Sequence, residues 1–201
     1  MKKSIFILFL LLLCSISSSA QGRIVYDMEW GYKANAFEWA DYNFIADAGM
    51  LIHHFYSRPN FNSNAFILAG IGLRTGRRFT TSLLSGFEGV QSGRRIVPLT
   101  LREKFYLNGY GNSGFCAYVD GGVGFAECFN NGVILAQKIG AGYSFDIGSG
   151  VGLNLMLSAQ HVLDYPGQVF EEVMERFIYA PELTSCRKNI LSFCMSIGLN
   201  F

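Results

Sequence analysis

Charge is scarce in this chain, and what there is cancels. Of 201 residues, 16 are Lys or Arg and 15 are Asp or Glu, giving a formal net charge of +1. That removes the basic excess a nucleic-acid partner would require. Proline is rare as well: the 4 residues are scattered singly, and no Pro-rich, charged or low-complexity stretch marks a linker. Beyond the first residues, no apolar run reaches the roughly 18 residues of a membrane-spanning helix. No Cys-x-x-Cys spacing or companion histidine cluster offers a zinc site, and no cofactor is expected. What the chain has instead is 23 glycines, 18 Phe and 10 Tyr. That composition suits an all-β protein built from many two-faced strands.

Lys2 and Lys3, the apolar run from Ile5 to Cys14 and the small residues Ser18, Ser19 and Ala20 read as a Sec signal peptide cleaved after Ala20. The run is short for a membrane anchor. A lipoprotein signal would want Gly, Ala or Ser where Leu13 stands before Cys14. Residues 1–20 are therefore expected to be the signal and 21–201 one exported domain. Cys116, Cys128, Cys186 and Cys194 remain after processing, in a compartment that permits pairing. Three connectivities are open; Cys128 and Cys186, both in expected loops at one end, are the candidate disulfide.

The final segment is two-faced. Leu191, Phe193, Met195, Ile197, Leu199 and Phe201 share one parity, and Ser192, Cys194, Ser196, Gly198 and Asn200 share the other. Successive residues of a strand point to opposite faces, so one face is greasy and the other small or polar. Such a strand must pair on both sides, and a closed barrel does this without leaving an edge.

Seven further segments alternate in the same way: Ile24–Lys33, Asp41–His54, Asn64–Thr75, Arg95–Leu107, Phe115–Glu127, Gly132–Asp146 and Gly150–Leu163. The total of eight is even, as single-chain bacterial barrels require, and each is long enough to cross a bilayer as a tilted strand. The parity opposite the apolar one carries Asp27, Glu29, Asp47, Asp120 and Asp146 against Lys33, Arg74, Arg102, Lys104 and Lys138. A water-facing surface need not balance, but a narrow lumen should, because an unpaired buried charge costs several kcal/mol. The reading is therefore an eight-stranded antiparallel up-and-down transmembrane β-barrel, apolar outside and ionic inside. A barrel of that size is filled by its own side chains, so no open pore is expected.

With both termini on the periplasmic side, the turns there would be Phe55–Ser63, Asn108–Gly114 and Ile147–Ser149. The outer loops would be Ala34–Ala40, Gly76–Arg94, Cys128–Asn131 and Asp164–Lys188. The second is long and basic, with Arg77, Arg78 and Arg94 near Arg74 and Arg95, and only Glu88 opposing. It could contact lipopolysaccharide phosphates. In the fourth, Val169, Phe170, Val173 and Phe177 are spaced for one face of a short helix, or for an ordered loop with incidental periodicity.

Three stretches carry a family resemblance: Ile96-Val97-Pro98-Leu99-Thr100-Leu101, the strand from Tyr118 to Phe125, and the terminal Gly198-Leu199-Asn200-Phe201. They resemble the broad outer-membrane β-barrel domain family common in Bacteroidetes. The tail is also similar to the targeting strand of bacterial outer-membrane barrels. That resemblance implies that Phe193, Met195, Ile197, Leu199 and Phe201 form the signal read by the barrel-assembly machinery. It implies fold and location, in the outer membrane of a Gram-negative bacterium, but assigns no catalytic residue.

Enzymatic chemistry finds little support. Ser158 and His161 are three apart, so on one strand they point to opposite faces, with Asp164 nearby. Adjacent His53 and His54 diverge likewise. The expectation is a monomeric, non-enzymatic barrel in contact with outer-membrane lipid, with a structural or surface-interaction role. The alternatives are an outer-membrane lipid-modifying enzyme and a transport or secretion-assembly component.

Overall fold

The computed structural model describes residues 24–47, 49–91, 94–126, 133–166, 168–171, 174–179 and 181–201. The expected signal peptide and Cys128 lie outside them. The strands are β1 (Ile24–Ile45), β2 (Leu51–Pro59), β3 (Ser63–Arg74), β4 (Phe79–Gln91), β5 (Arg94–Tyr106), β6 (Gly114–Ala126), β7 (Val133–Gly148), β8 (Val151–Asp164), β9 (Gln168–Glu171), β10 (Arg176–Tyr179) and β11 (Leu183–Asn200). Each of β3 to β8 pairs antiparallel with its sequence neighbour, and β11 pairs with both β8 and β1. The result is a closed eight-stranded barrel of β1, β3 to β8 and β11, with β2 alongside the far half of β1.

The register fixes the tilt. One row of paired residues runs Ile24, Leu73, Thr81, Glu103, Val119, Ile139, Ala159, Phe193 and returns to β1 at Ala34. The row re-enters ten residues further along β1 than it left, which for eight strands corresponds to a tilt of about 40°. The outward parity forms a continuous apolar band. At the near end, where β1 starts, exposed Tyr26, Phe79, Phe115, Phe145 and Phe201 ring the barrel. Phe79 lies tilted against Phe105 at 5.1 Å, and Tyr143 bridges Phe115 at 5.4 Å and Phe145 at 4.7 Å. Apolar side chains outside and ionic ones inside suit hydrocarbon surroundings, bounded by an aromatic girdle.

The strand count of eight agrees with expectation, but one segment is exchanged: Asp41–His54 is not a barrel strand of its own, and β4 takes its place. β1 is a single strand of 22 residues. The expected outer loop Ala34–Ala40 is its middle and Asp41–Ile45 its far end. A register shift between Asn35 and Phe37 marks a β-bulge. Because the side-chain period is two, one extra residue swaps the faces. Inward residues before it are Glu29, Gly31 and Lys33; after it they are Glu38, Ala40, Tyr42 and Phe44. The apolar alternation through Phe44 and Ala46 therefore points in, not out. The expected strand Asp41–His54 is interrupted by a hairpin turn in which Ala46 N donates to Met50 O at 2.9 Å and Gly49 takes φ +74°, a left-handed conformation natural to glycine.

The expected loop Gly76–Arg94 is a short turn, then the barrel strand β4, 13 residues long, and the start of β5. This separates the arginines of the expected basic loop. Arg74, Arg77 and Arg78 stand at the near end, and Arg94 and Arg95 at the far end. The expected turn Phe55–Ser63 contains the end of β2, a break at 60–62 and the first residue of β3. The helix considered over Val169–Phe177 is instead a β-hairpin: β9 pairs with β10, Val169 opposite Ile178. Both side chains are buried against Tyr42, Phe44 and Ala46 of β1.

Candidate functional site, a twice-closed lumen

The inward faces stack into layers that can be followed along individual strands. Nearest the centre of the band is an ionic layer. Arg102 on β5 donates from Nε to Asp120 Oδ1 at 2.8 Å and from Nη2 to Asp120 Oδ2 at 2.7 Å. This bidentate geometry is available because the two residues are paired across β5 and β6. The same Nη2 lies 2.5 Å from Glu29 Oε2 on β1. The Arg102 guanidinium also covers the Tyr118 ring at 4.4 Å. Lys138 stands 4.0 Å from both Glu29 and Asp120 and 4.2 Å over the Phe66 ring.

Towards the far end, Lys33 Nζ lies 2.6 Å from Glu88 Oε1, which also accepts from Gln160 Nε2 at 2.6 Å. Towards the near end, the Ser82 hydroxyl donates to Asp27, and Lys104 lies 5.0 Å over the Tyr106 ring. All of these charged groups are buried. Asp27, Glu29, Glu88 and Asp120 match Lys33, Arg102, Lys104 and Lys138 one for one.

Seven of the charged residues assigned to the lumen from sequence, Asp27, Glu29, Lys33, Arg102, Lys104, Asp120 and Lys138, are in this layer. Three are elsewhere. Asp47 sits in the exposed β1–β2 turn, 3.3 Å from Arg176. Asp146 is exposed at the near end, where its Oδ1 accepts from Gly148 N at 2.9 Å in the β7–β8 turn. Arg74 ends β3, donates from Nε to Gly76 O at 3.1 Å and covers Tyr110 at 5.6 Å. Each lies at a strand end, where alternation no longer sets direction.

Glu88 was missed because its strand was read as a loop. The signal was present: Phe79, Leu83 and Phe87 alternate with Thr80, Ser82, Leu84 and Glu88, as in a two-faced strand.

The next inward position brings an apolar layer. Val90, Ile96, Ile134, Val162 and Ile190, from β4, β5, β7, β8 and β11, are all buried and pack as one cluster across the lumen. On β8 the order is Gln160, Val162, Asp164; on β11 it is Ser192, Ile190, Lys188. The plug therefore separates the first ionic layer from a second.

That second layer centres on Glu38, just past the β1 bulge. Its carboxylate accepts from Tyr56 Oη at 3.0 Å, Arg58 Nε at 3.2 Å, Asn60 Nδ2 at 2.5 Å and Gln91 Nε2 at 3.2 Å, and lies 3.2 Å from Lys188 Nζ. Burial alone would raise its pKa, but the Lys188 ammonium, the Tyr56 hydroxyl and Arg58 together hold it below the usual carboxylate value. Arg94 pairs with Asp164 at 2.7 Å beside it. Above lies the apolar cap of Tyr42, Phe44, Ala46, Val169 and Ile178.

Cys186 belongs to this cap, packed against those residues as a free thiol; its expected disulfide partner, Cys128, lies outside the described residues. The inward position of Cys186 opposite Tyr42 turns it into the cap. Burial, reinforced by the charge of Asp164, pushes the thiol up to about 11, which keeps it protonated and unreactive near neutrality.

The catalytic candidates do not converge. Ser158 faces the lumen, whereas His161 faces out, stacked on Trp39 at 5.8 Å and 3.2 Å from Asn189 Oδ1. His53 lies 2.7 Å from Asp41 on the exposed face of the extension, and His54 turns inward against Tyr42 at 5.2 Å. Phe193, Met195, Ile197 and Phe201 are exposed on the apolar band, with Leu199 half-buried beside them. Phe201 closes the seam, its N donating to Tyr26 O at 3.0 Å.

A closed antiparallel barrel of eight strands, apolar outside and ionic within, defines a protein with the fold of outer-membrane barrels. One solved structure agrees. The outer membrane protein OprG from Pseudomonas aeruginosa superposes with a TM-score of 0.50 at 10% identity, over 90% of this chain and 97% of that one. The outer membrane protease OmpT from Escherichia coli gives a TM-score of 0.41 at 9% identity, over 92% of this chain and 99% of that one, too distant to carry an argument. No family model and no curated protein matches the chain.

Proposed function

We propose that this chain is a non-conducting barrel of the bacterial outer membrane that holds a rigid platform on the far, extracellular side. The observation that carries this reading is the double closure of the lumen by a neutralised ionic layer and the five-residue apolar plug. A dry apolar constriction resists water and ions even where space remains. The platform is the far extension of β1, β2 and β11 capped by the β9–β10 hairpin, and it displays Leu51, Phe55 and, at 85% exposure, Phe61. Exposed apolar groups on a rigid scaffold are suited to partner contact. The role is structural or surface-interacting rather than enzymatic, which the divergence of Ser158 and His161 supports. A monomer assembled through its terminal strand by the barrel-assembly machinery fits the lipid-facing Phe193–Phe201 side chains. Lipopolysaccharide contact loses the contiguous basic loop that suggested it.

The test is planar-bilayer conductance on protein shown to be folded by heat-modifiable gel mobility. The wild type should be silent. The double variant V162S/I190S, which wets the plug, should show brief openings. A steady wild-type conductance would replace this reading with the transport alternative.

A further inference from the structure

The apolar band has one flaw. Among the described residues, Glu103 is the single acidic or basic side chain on its outer face between the near-end girdle and the β1 bulge, apart from His161 and Arg95 at the far border. It is exposed, and its one hydrogen-bond partner is the neighbouring Thr81 hydroxyl, which donates at 2.5 Å. An ionisable group facing hydrocarbon is costly and marks a site unless something compensates it.

Beside Glu103 the wall is hollow. A groove of about 700 Å³ crosses β5 to β8 on the outer surface. Ala117, Ala141 and Ala159 form its floor, and Phe105, Leu157 and Phe193 are among its walls. Ala117 and Ala141 are directly paired, so the small residues lie side by side rather than scattered. Larger side chains at these three positions would level the surface with the rest of the band.

We infer that this groove holds one phospholipid with a primary ammonium headgroup, phosphatidylethanolamine, its acyl chain along the alanine floor and its ammonium on Glu103. The inference rests on the proposed membrane orientation. Charge complementarity selects the head: a carboxylate at an apolar groove matches a cation carrying a hydrocarbon chain, whereas an anionic lipid would be repelled. Depth agrees. Glu103 lies one outward position inside the girdle residue Phe105, about 5 Å along the barrel axis for a tilted strand. That is within reach of a headgroup at the girdle. The N–H donors of a primary ammonium give a charge-assisted hydrogen bond that a quaternary ammonium cannot.

The test uses the full mature chain in bilayers containing equal phosphatidylethanolamine, phosphatidylcholine and phosphatidylglycerol, released for native mass spectrometry. The expected result is a single retained phosphatidylethanolamine, enriched about fivefold over either competitor. That enrichment should vanish both in Glu103→Gln, which removes the charge, and in Ala141→Leu, which fills the floor. Equal retention of the three lipids, retention surviving Glu103→Gln, or a dimer in place of the lipid adduct would overturn the inference while leaving the barrel reading intact. Heat-modifiable mobility is read on the same samples. A chain that never inserts would overturn both.

Discussion

The near and far halves of β1 carry opposite interiors on one continuous strand. In the near half the inward side chains are Asp27, Glu29, Lys33 and Asn35, and the outward ones are Tyr26, Met28, Trp30 and Tyr32. In the far half the inward side chains are Glu38 at the base and then Ala40, Tyr42 and Phe44, and Asp41 faces out beside His53. The bulge between Asn35 and Phe37 marks the exchange. The lesson is that the surroundings set the polarity of the inside. In the proposed membrane orientation the near wall meets hydrocarbon, so apolar groups gain nothing by pointing in and the lumen collects ions. Where the strand rises into water, the hydrophobic effect restores an apolar core. The two halves should therefore fail in different ways.

The largest effect is expected in the near half. Arg102→Leu removes the cation shared by Glu29 and Asp120, leaving two buried carboxylates with only Lys138 at 4.0 Å. Breaking a buried pair from one side costs about 3–5 kcal/mol. Urea unfolding of the bilayer-inserted protein, followed by loss of the fast-migrating folded band, should show a destabilisation of that size. An unchanged midpoint would mean that water reaches this layer and that the lumen is open. By contrast, the far half should lose its order locally. Ile178→Ala removes a fully buried side chain from the cap, a cost of about 2–4 kcal/mol for a large-to-small core change. It should release the β9–β10 hairpin to limited proteolysis while the barrel band stays heat-modifiable. Cleavage together with barrel loss would show that the halves are one cooperative unit.

How far the sequence could be read follows the same division. The walls of the near half were legible because period-two alternation is strict there: Val97, Leu99 and Leu101 against Thr100, Arg102 and Lys104 leave one choice of face. Seven lumen charges followed from parity alone. The errors cluster where parity is interrupted. The bulge near Ala36 reversed the faces of Tyr42 and Phe44, so an apolar cap looked like a membrane strand. Thr80 to Glu88 alternates as well, but two arginines on each side made it look like a basic loop, and Glu88 was lost with it. Counting one strand too many at the bulge and one too few at β4 left the total at eight. The groove at Ala117, Ala141 and Ala159 was not legible at all, because it depends on which strands lie side by side, and register is a property of the closed sheet.

The smallest effect separates the halves without a mutation. Glu38 holds the base of the far extension through Lys188, Tyr56 and Arg58, and its carboxyl titrates below the usual carboxylate value because those partners outweigh the cost of burial. A carboxyl whose pKa is depressed on folding adds stability that is fully present above the unfolded value. That stability is lost as pH falls through the folded one. Acidification from pH 6 to below about 4 should therefore loosen β2 and the β9–β10 hairpin first. Hydrogen exchange on the inserted protein would detect it as faster exchange at Leu51–Pro59, with Arg94–Tyr106 unchanged. Glu38→Gln should show the loosened pattern already at pH 6 and respond little to further acid, since the group that titrates is gone. If wild type and variant instead gain exchange in parallel on acidification, another carboxylate governs the extension; Asp164, paired with Arg94 in the same layer, is then the one to replace.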